Sequence, residues 1–200
     1  MGPLSAILVA VLLVATSDVS GAHELGARVD LPSKFERFVV PAGSVRVLEY
    51  YSLGQLDGPG GVVRLRVARV SAAGQTIALI ALEVRVSGPS AARATHTGFI
   101  DSDDLDSLIR ALGEMDRMLK KRYLLSSAET AEAEFSAGSV RVGTVLTNRP
   151  GDRDRLYIVA GNPSRATATL DPRDLPKVRA LVSTALEKIG DLAAGKTGDR

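Results

Sequence analysis

The chain has 200 residues, of which 45% are hydrophobic and 24% are charged, and its 25 basic and 23 acidic residues leave a formal net charge of +2. These proportions are those of an ordinary soluble globular protein, and so small a net charge does not by itself predict a polyanionic partner. The 200 residues include no cysteine, so we expect no disulfide bond, no thiolate metal site and no lipid anchor on a cysteine thiol.

The first predicted element is a secretory signal peptide over residues 1–22. Residues 4–15 form an apolar run interrupted only by Ser5, and the small residues Ser20-Gly21-Ala22 follow. This pattern is typical of an exported protein cleaved after Ala22, although no Lys or Arg precedes the run. A run of about 12 residues is too short to span the roughly 30 Å hydrocarbon layer. We therefore expect a periplasmic or secreted protein without a membrane span after cleavage. The alternative is a buried strand or helix at the start of a domain.

Residues 23–43, here the leading segment, are predicted to tuck Phe35 and Phe38 against the core. Residues 44–125 are predicted to form a first unit of four strands and a helix. A hydrophobic period of two indicates strands from about Ser44 and over 62–70, 76–86 and 93–100.

Two further expectations concern this first unit. Arg69 and Val70 break the alternation of the second strand, which predicts a bulge there. The third strand has the longest apolar face and is predicted at the centre of the sheet. The period then changes to about 3.6 residues, which predicts a helix near 105–119 with Asp101 as its N-cap.

Residues 126–189 are predicted to repeat this order, and residues 190–200 to form a flexible tail. Strands are indicated at about 129–135, 139–147, 155–160 and 165–170. A helix over 172–189 follows, with Asp171 as N-cap and Pro172 in its first turn.

The two units also resemble each other in sequence. The motif Ile100-Asp101-x-x-Asp104-Leu105 recurs 70 residues later as Leu170-Asp171-x-x-Asp174-Leu175. The string Ala-Gly-Ser-Val-Arg-Val occurs at both 42–47 and 137–142, at a different offset, either by chance or because the first unit has a longer hairpin. We predict an α+β fold of two tandem antiparallel-sheet-then-helix units packed as one body, with each helix covering an apolar sheet face.

This order of elements, over about residues 44–189, resembles the PUR and Whirly class of single-stranded nucleic-acid-binding proteins. The resemblance implies bases stacked on a sheet face, and no binding residue is carried over from it. Base stacking needs aromatic platforms in a basic groove, and the strands of this chain hold few aromatic residues. Together with predicted export, this makes nucleic acid an unfavoured ligand.

Three patterns that could suggest a cofactor have simpler explanations. Residues 190–197 match the P-loop consensus, but they follow a predicted helix instead of a strand. The acidic residues at 101–106 lack the Gly and Glu of a calcium loop and suit a helix N-terminus. His23 would become the N-terminus after cleavage and could chelate Cu(II) with His96, but two histidines are a thin basis for a metal site. We predict no metal and no cofactor.

The candidate ligand-binding residues are arginines of the first predicted sheet: Arg46, Arg64, Arg66 and Arg85. If the strands pair as a meander, these side chains converge on one face that could bind a phosphate or carboxylate polymer. The alternative is a solvated face on which arginine stems cover apolar surface and Glu49 and Glu83 dilute the charge.

Three functions follow from the sequence. The leading hypothesis is an exported, non-catalytic binding or assembly module of the cell envelope or secreted space, with an unknown envelope or extracellular partner and self-association through sheet edges or helices as a further option. The second is anion binding through the arginine-rich face. The third is an enzyme of unrecognised type. The chain has no G-x-S-x-G elbow and no H-E-x-x-H pair, which argues against the common hydrolases. Ser-Lys and carboxylate-pair mechanisms leave little trace in a sequence and keep this hypothesis open.

Overall fold

Two four-stranded antiparallel sheets, each followed by a helix, make up the computed structural model, which describes residues 32–39, 42–72, 78–87, 95–121 and 128–195. The predicted α+β class and the repeated sheet-then-helix order are confirmed. The predicted signal peptide lies outside the described residues. In chain order, the elements are β1 (Arg46–Gly58), β2 (Gly61–Ala72), β3 (Ala78–Ser87), β4 (Thr95–Asp101), α1 (Leu105–Lys121), β5 (Thr130–Ala137), β6 (Val140–Thr147), β7 (Arg155–Ala160), β8 (Ala166–Leu170) and α2 (Leu175–Ala193).

Each sheet is a meander with its strands in sequence order, so the apolar β3 is an interior strand as predicted. Side chains that alternate along the strands give each sheet an inner and an outer face. In β2, Val63 and Leu65 are buried on the inner face, whereas Arg64 between them is exposed on the outer face. The inner faces of both sheets and the apolar sides of both helices enclose one shared core.

Each helix lies mainly against the sheet of the other unit. α1 contacts β5 and β6, α2 contacts β1, β2 and β3, and the two helices contact each other. The apolar stripe predicted for α1 is buried, with Leu105, Leu108 and Leu112 at its centre. Neither described helix is long and apolar enough to cross a bilayer. Because the helices are exchanged, each unit needs the other to cover its inner sheet face.

The turn of the first hairpin in each unit packs against the last strand of the other unit. The Gly60 N–H donates to the carbonyl of Thr169 at 3.1 Å, and a Cβ on Gly58 would lie 2.3 Å from the same oxygen. In the reciprocal contact, a Cβ on Gly138 would lie 2.2 Å from the carbonyl oxygen of Phe99. Phe99 and Thr169 are separated by the 70 residues of the sequence repeat, so the similarity of the two units extends to their tertiary contacts.

Residues 32–39 of the leading segment cover part of the outer face of the first sheet, so Phe35 and Phe38 pack in a small cluster there and not in the shared core against which they are predicted to tuck. Phe35 is buried and stacks on Phe99 with 4.6 Å between ring centroids. Ala68, Val70 and Ala81 complete this small apolar cluster. The outer face is therefore closed at this end and open towards the β1–β2 hairpin.

The bulge predicted at Arg69 and Val70 is wrong. The β2–β3 pairing is regular there, and the one register shift of the first hairpin lies in β1, between Ser52 and Gly54. Val70 faces outwards beneath Phe35, which is why an apolar residue stands where the alternation predicts a polar one. The second helix also runs to Ala193, beyond its predicted end at residue 189.

Candidate functional site

A row of polar side chains crosses the outer face of the first sheet. Arg64 of β2 lies opposite Gln55 of β1 on one side and opposite Arg85 of β3 on the other. Arg85 in turn lies opposite Thr97 of β4. We name these four residues the cationic row. Directly opposed side chains have Cβ atoms about 5 Å apart, so the two guanidinium groups start from adjacent positions.

Neither arginine of the cationic row has an acidic partner within the described ranges. The Nε of Arg64 donates to the amide oxygen of Gln55 at 2.8 Å, and the amide nitrogen of Gln55 donates to Asp57 at 2.7 Å. The Nε of Arg85 is buried without a hydrogen-bond partner. Opposed like charges destabilise a sheet by a few tenths to about 1 kcal/mol, and a buried donor without an acceptor adds to that cost. An anion bound between the two side chains would offset the repulsion between the two opposed cations.

Arg66 belongs to the neighbouring row, and Glu83 already neutralises it. Both carboxylate oxygens of Glu83 accept from its guanidinium group, with 2.8 Å between Nη2 and Oε1. The Glu83 side chain is only 4% exposed, and its hydrogen bond raises the pKa of Arg66 above the ordinary value. The same guanidinium lies 4.1 Å from the centroid of the Tyr50 ring. Arg66 therefore stabilises the sheet and adds little charge for a ligand.

Arg46 lies at the far end of the same face. It pairs with Ala72, which is eight positions along β2 from Arg64 and therefore about 27 Å away. The sequence correctly predicts that these arginines share a face, but the register brings only Arg64 and Arg85 together as cations without an acidic partner. Of the two expected diluting acids, Glu83 pairs with Arg66, and Glu49 lies 3.3 Å from Arg69 on the inner face.

The second sheet does not repeat this arrangement. Its equivalent row consists of Ser136, Arg141, Val159 and Thr167. Val159 stands where the first sheet has Arg85, and Arg141 is 7% exposed and lies 3.9 Å from Glu134. The pair of opposed cations is therefore a property of the first sheet alone.

The next row of the second sheet holds a tyrosine between two glutamates, which sequence reasoning missed. The ring of Tyr157 lies over Gly143, where an added Cβ would come within 2.3 Å of it. The Tyr157 hydroxyl lies 2.6 Å from Glu132 and 3.0 Å from Glu134. Burial and the two carboxylates raise the pKa of Tyr157 well above its ordinary value. A glycine inside the strand was the available signal, because it marks a close approach of another group.

A groove of about 370 Å³ lies between α1 and α2. It is lined by apolar side chains such as Leu112 and Leu175 and by Asp116, whose carboxylate pairs with Lys120 at 2.6 Å. Lys120, Arg179 and Ser183 complete its polar lining, so the groove combines apolar surface with an ion pair that is already formed.

The other sequence motifs fall in structural positions or outside the described part of the chain. His96 Nδ1 lies 3.0 Å from the carbonyl oxygen of Ser164, whereas His23 lies outside that part. The described residues hold no group of three His, Asp or Glu side chains that could bind a metal ion. Residues 190–193 of the P-loop match belong to the last turn of α2, and its residues 196 and 197 are again outside.

The sequence matches no protein-family model, and a search of the curated proteins found no similar protein. A function for this chain is therefore argued from the chemistry of its own side chains.

Proposed function

We propose that the protein is an exported, non-catalytic binding module that holds an anionic ligand on the outer face of its first sheet. The supporting observation is the opposition of Arg64 and Arg85, two guanidinium groups on adjacent strands that pair with no carboxylate of the described residues. A purely structural face is expected to neutralise its cations, as Glu83 does for Arg66. Guanidinium groups bind phosphate, sulfate and carboxylate oxygens through paired hydrogen bonds.

The shape of the site favours an extended ligand. The cationic row crosses four strands, a width of about 14 Å, and Gln55 and Thr97 place a polar amide and a hydroxyl at its two ends. Small molecules are usually bound in concave pockets, whereas this row lies on an open face. Such a face also leaves the ligand in contact with water, which suits retention better than chemical conversion. The ligand class is therefore a polymer of phosphate or carboxylate groups.

Binding of polyphosphate and polygalacturonate to Arg64→Gln and Arg85→Val tests this proposal. Arg85→Val introduces the residue that the second sheet carries at the equivalent position, so the strand is expected to accept it. Each variant is expected to weaken binding about tenfold, since a hydrogen bond to a charged group contributes roughly 1.5–3 kcal/mol. Each should also reduce the dependence of binding on salt.

Arg110→Gln is the matched control, because it removes an exposed arginine from α1. Equal weakening by this control would reduce the effect to net charge, and unchanged binding by both row variants would refute the site. The two probes distinguish phosphate from carboxylate ligands.

Export is tested separately by the intact mass and N-terminal sequence of the protein from fractionated host cells. A chain that begins at His23 in the periplasm or medium is expected. A full-length chain in the cytoplasm would contradict export. Given the resemblance to the PUR and Whirly class, single-stranded DNA would then be the first polyanion to test on the cationic row.

A further inference from the structure

The open edge of the first sheet carries exposed apolar side chains. β1 is an outermost strand, and no other described strand lies beyond it. Val45, Val47, Leu48 and Tyr50 are 65%, 39%, 41% and 43% exposed. Pairing with β2 nevertheless continues to Arg46. The outward N–H and C=O groups of this segment are therefore held in an extended strand that a further strand can join.

The equivalent edge of the second sheet is protected by charge. The rows of Gln55 and Ser136 are equivalent in the two sheets. Following the strand pairings from these rows, Leu48 and Tyr50 of β1 correspond to Thr130 and Glu132 of β5. Charged side chains, prolines, bulges and short strands discourage pairing at an edge. β1 has 13 residues against eight in β5; its charged residues are Arg46, Glu49 and Asp57, and its bulge follows Ser52. The two edges of one fold thus differ in strand length and in apolar surface, since among the described residues the exposed large hydrophobic side chains of β1 have no counterpart in β5.

We propose that the β1 edge binds a second copy of the chain, with β1 antiparallel to β1 in one continuous eight-stranded sheet. A twofold axis perpendicular to the sheet places the residue on the axis opposite its own copy. An axis at Arg46 would oppose two arginines, and an axis at Glu49 two glutamates, and both arrangements are unfavourable. An axis at Leu48 opposes two leucines and places Arg46 of each copy opposite Tyr50 of the other.

The pairing of Arg46 with Tyr50 repeats an interaction that the fold already makes. The Arg66 guanidinium lies 4.1 Å from the centroid of the Tyr50 ring, and Tyr50 is still 43% exposed. Arg46 is itself exposed, and the electron-rich face of a tyrosine attracts a guanidinium group. The second copy would therefore supply a complementary cation and cover the apolar edge. This gives a role to Arg46, the arginine farthest from the cationic row, and does not depend on the proposed ligand.

Single cysteines report the register directly, because the chain has none of its own. Leu48→Cys is expected to form a disulfide-linked dimer under mild oxidation, since opposed antiparallel residues have Cα atoms about 4.5–5.5 Å apart. Arg46→Cys and Tyr50→Cys are expected to link efficiently when mixed and poorly when separate. Val39→Cys, at a position 84% exposed and outside the strand, measures random collision.

Sedimentation equilibrium of the unsubstituted protein is expected to give a dimer. Leu48→Lys, which places two ammonium groups together on the axis, is expected to give a monomer with an unchanged circular dichroism spectrum. A monomer at every concentration of the unsubstituted protein would overturn the proposal, as would cross-linking of Leu48→Cys no faster than that of Val39→Cys. Efficient linking of Tyr50→Cys alone would contradict the axis at Leu48, and a dimer that persists in Leu48→Lys would place the interface elsewhere.

Discussion

Asp101 and Asp171 occupy the same place in the two units, at the end of the last strand, yet their carboxylates bind different partners. Asp171 accepts a hydrogen bond from the N–H of Arg173 at 2.9 Å and so caps the turn before α2. Asp101 makes no such cap. It accepts instead from the backbone N–H groups of Lys34 and Phe35, at 2.8 and 3.2 Å. Both residues therefore occupy the predicted N-cap position, but only the Asp171 side chain caps its turn, whereas the Asp101 side chain holds Lys34 and Phe35 of the leading segment.

Asp101→Ala is expected to loosen the leading segment more than α1. The substitution removes the acceptor for two backbone amides, and we expect a loss of about 2 kcal/mol in the free energy of unfolding. Urea unfolding measures this loss, and hydrogen exchange of residues 33–38 locates it. In the matched control Asp171→Ala, faster exchange should appear at Arg173, in the turn before α2, while residues 33–38 stay protected. The same exchange pattern in both variants would contradict this division of roles.

Gly138→Ala tests the hairpin exchange between the units. Gly138 has a φ of +54°, and an added Cβ would lie 2.2 Å from the Phe99 carbonyl oxygen. Gly151→Ala is the matched control, because its φ is +90° and nothing lies within 4 Å of the added atom. The control carries backbone strain alone, about 1–2 kcal/mol, whereas Gly138→Ala must also displace the hairpin and should cost about 3 kcal/mol or more. Similar urea midpoints for both variants would mean that the hairpin contact contributes little to stability.

The order and type of the elements could be predicted because hydrophobic periodicity is a local property of the sequence. The exchange of helices could not. Which sheet a helix covers depends on residues far apart in the chain, such as Leu112 and Val142 in the shared core, and both arrangements have the same periodicity. The misplaced bulge has a similar cause, since Phe35 covers Val70 from outside the strand pattern.

The sequence predicts which face of the sheet carries the arginines, but not which arginines lie next to each other. The alternation of side chains along each strand is enough to place the four arginines on one side of the sheet, where the strand pairings also put them. Register decides the rest: it opposes Arg64 to Arg85, gives Glu83 to Arg66 and leaves Arg46 at the far end. Register depends on the exact turn geometry and on bulges such as the one after Ser52, which the alternation of side chains does not locate, so the cationic row could not be distinguished from the structural arginine beside it.

Glu83→Gln is expected to lower stability and strengthen anion binding at the same time. It removes the carboxylate that neutralises Arg66, and breaking a largely buried ion pair costs about 3 kcal/mol. The freed guanidinium lies one row from Arg64 and Arg85 and adds a positive charge to the outer face. Polyphosphate should therefore bind severalfold more tightly and with a steeper salt dependence, as measured by titration at two salt concentrations. Weaker binding by a folded Glu83→Gln variant would contradict the proposed site.

Tyr157→Phe is expected to change how stability depends on alkaline pH. The Tyr157 hydroxyl lies within 3.0 Å of both Glu132 and Glu134, so its ionisation would place three negative charges together. Burial and the two carboxylates raise its pKa in the folded protein, whereas an unfolded tyrosine ionises near about pH 10. The folded state therefore keeps this proton where the unfolded state loses it. The stability from this group is fully present below about pH 10 and is lost as the pH rises further.

Tyr157→Phe should thus be less stable than the unsubstituted protein at neutral pH, with a difference that narrows above about pH 10. Tyr51→Phe is the control, because the Tyr51 hydroxyl lies 3.5 Å from a single carboxylate, that of Glu49. Urea unfolding at neutral and alkaline pH measures the free energy of unfolding of all three proteins. A difference between Tyr157→Phe and the unsubstituted protein that stays constant with pH would mean that the tyrosine proton does not link the two glutamates in the folded state.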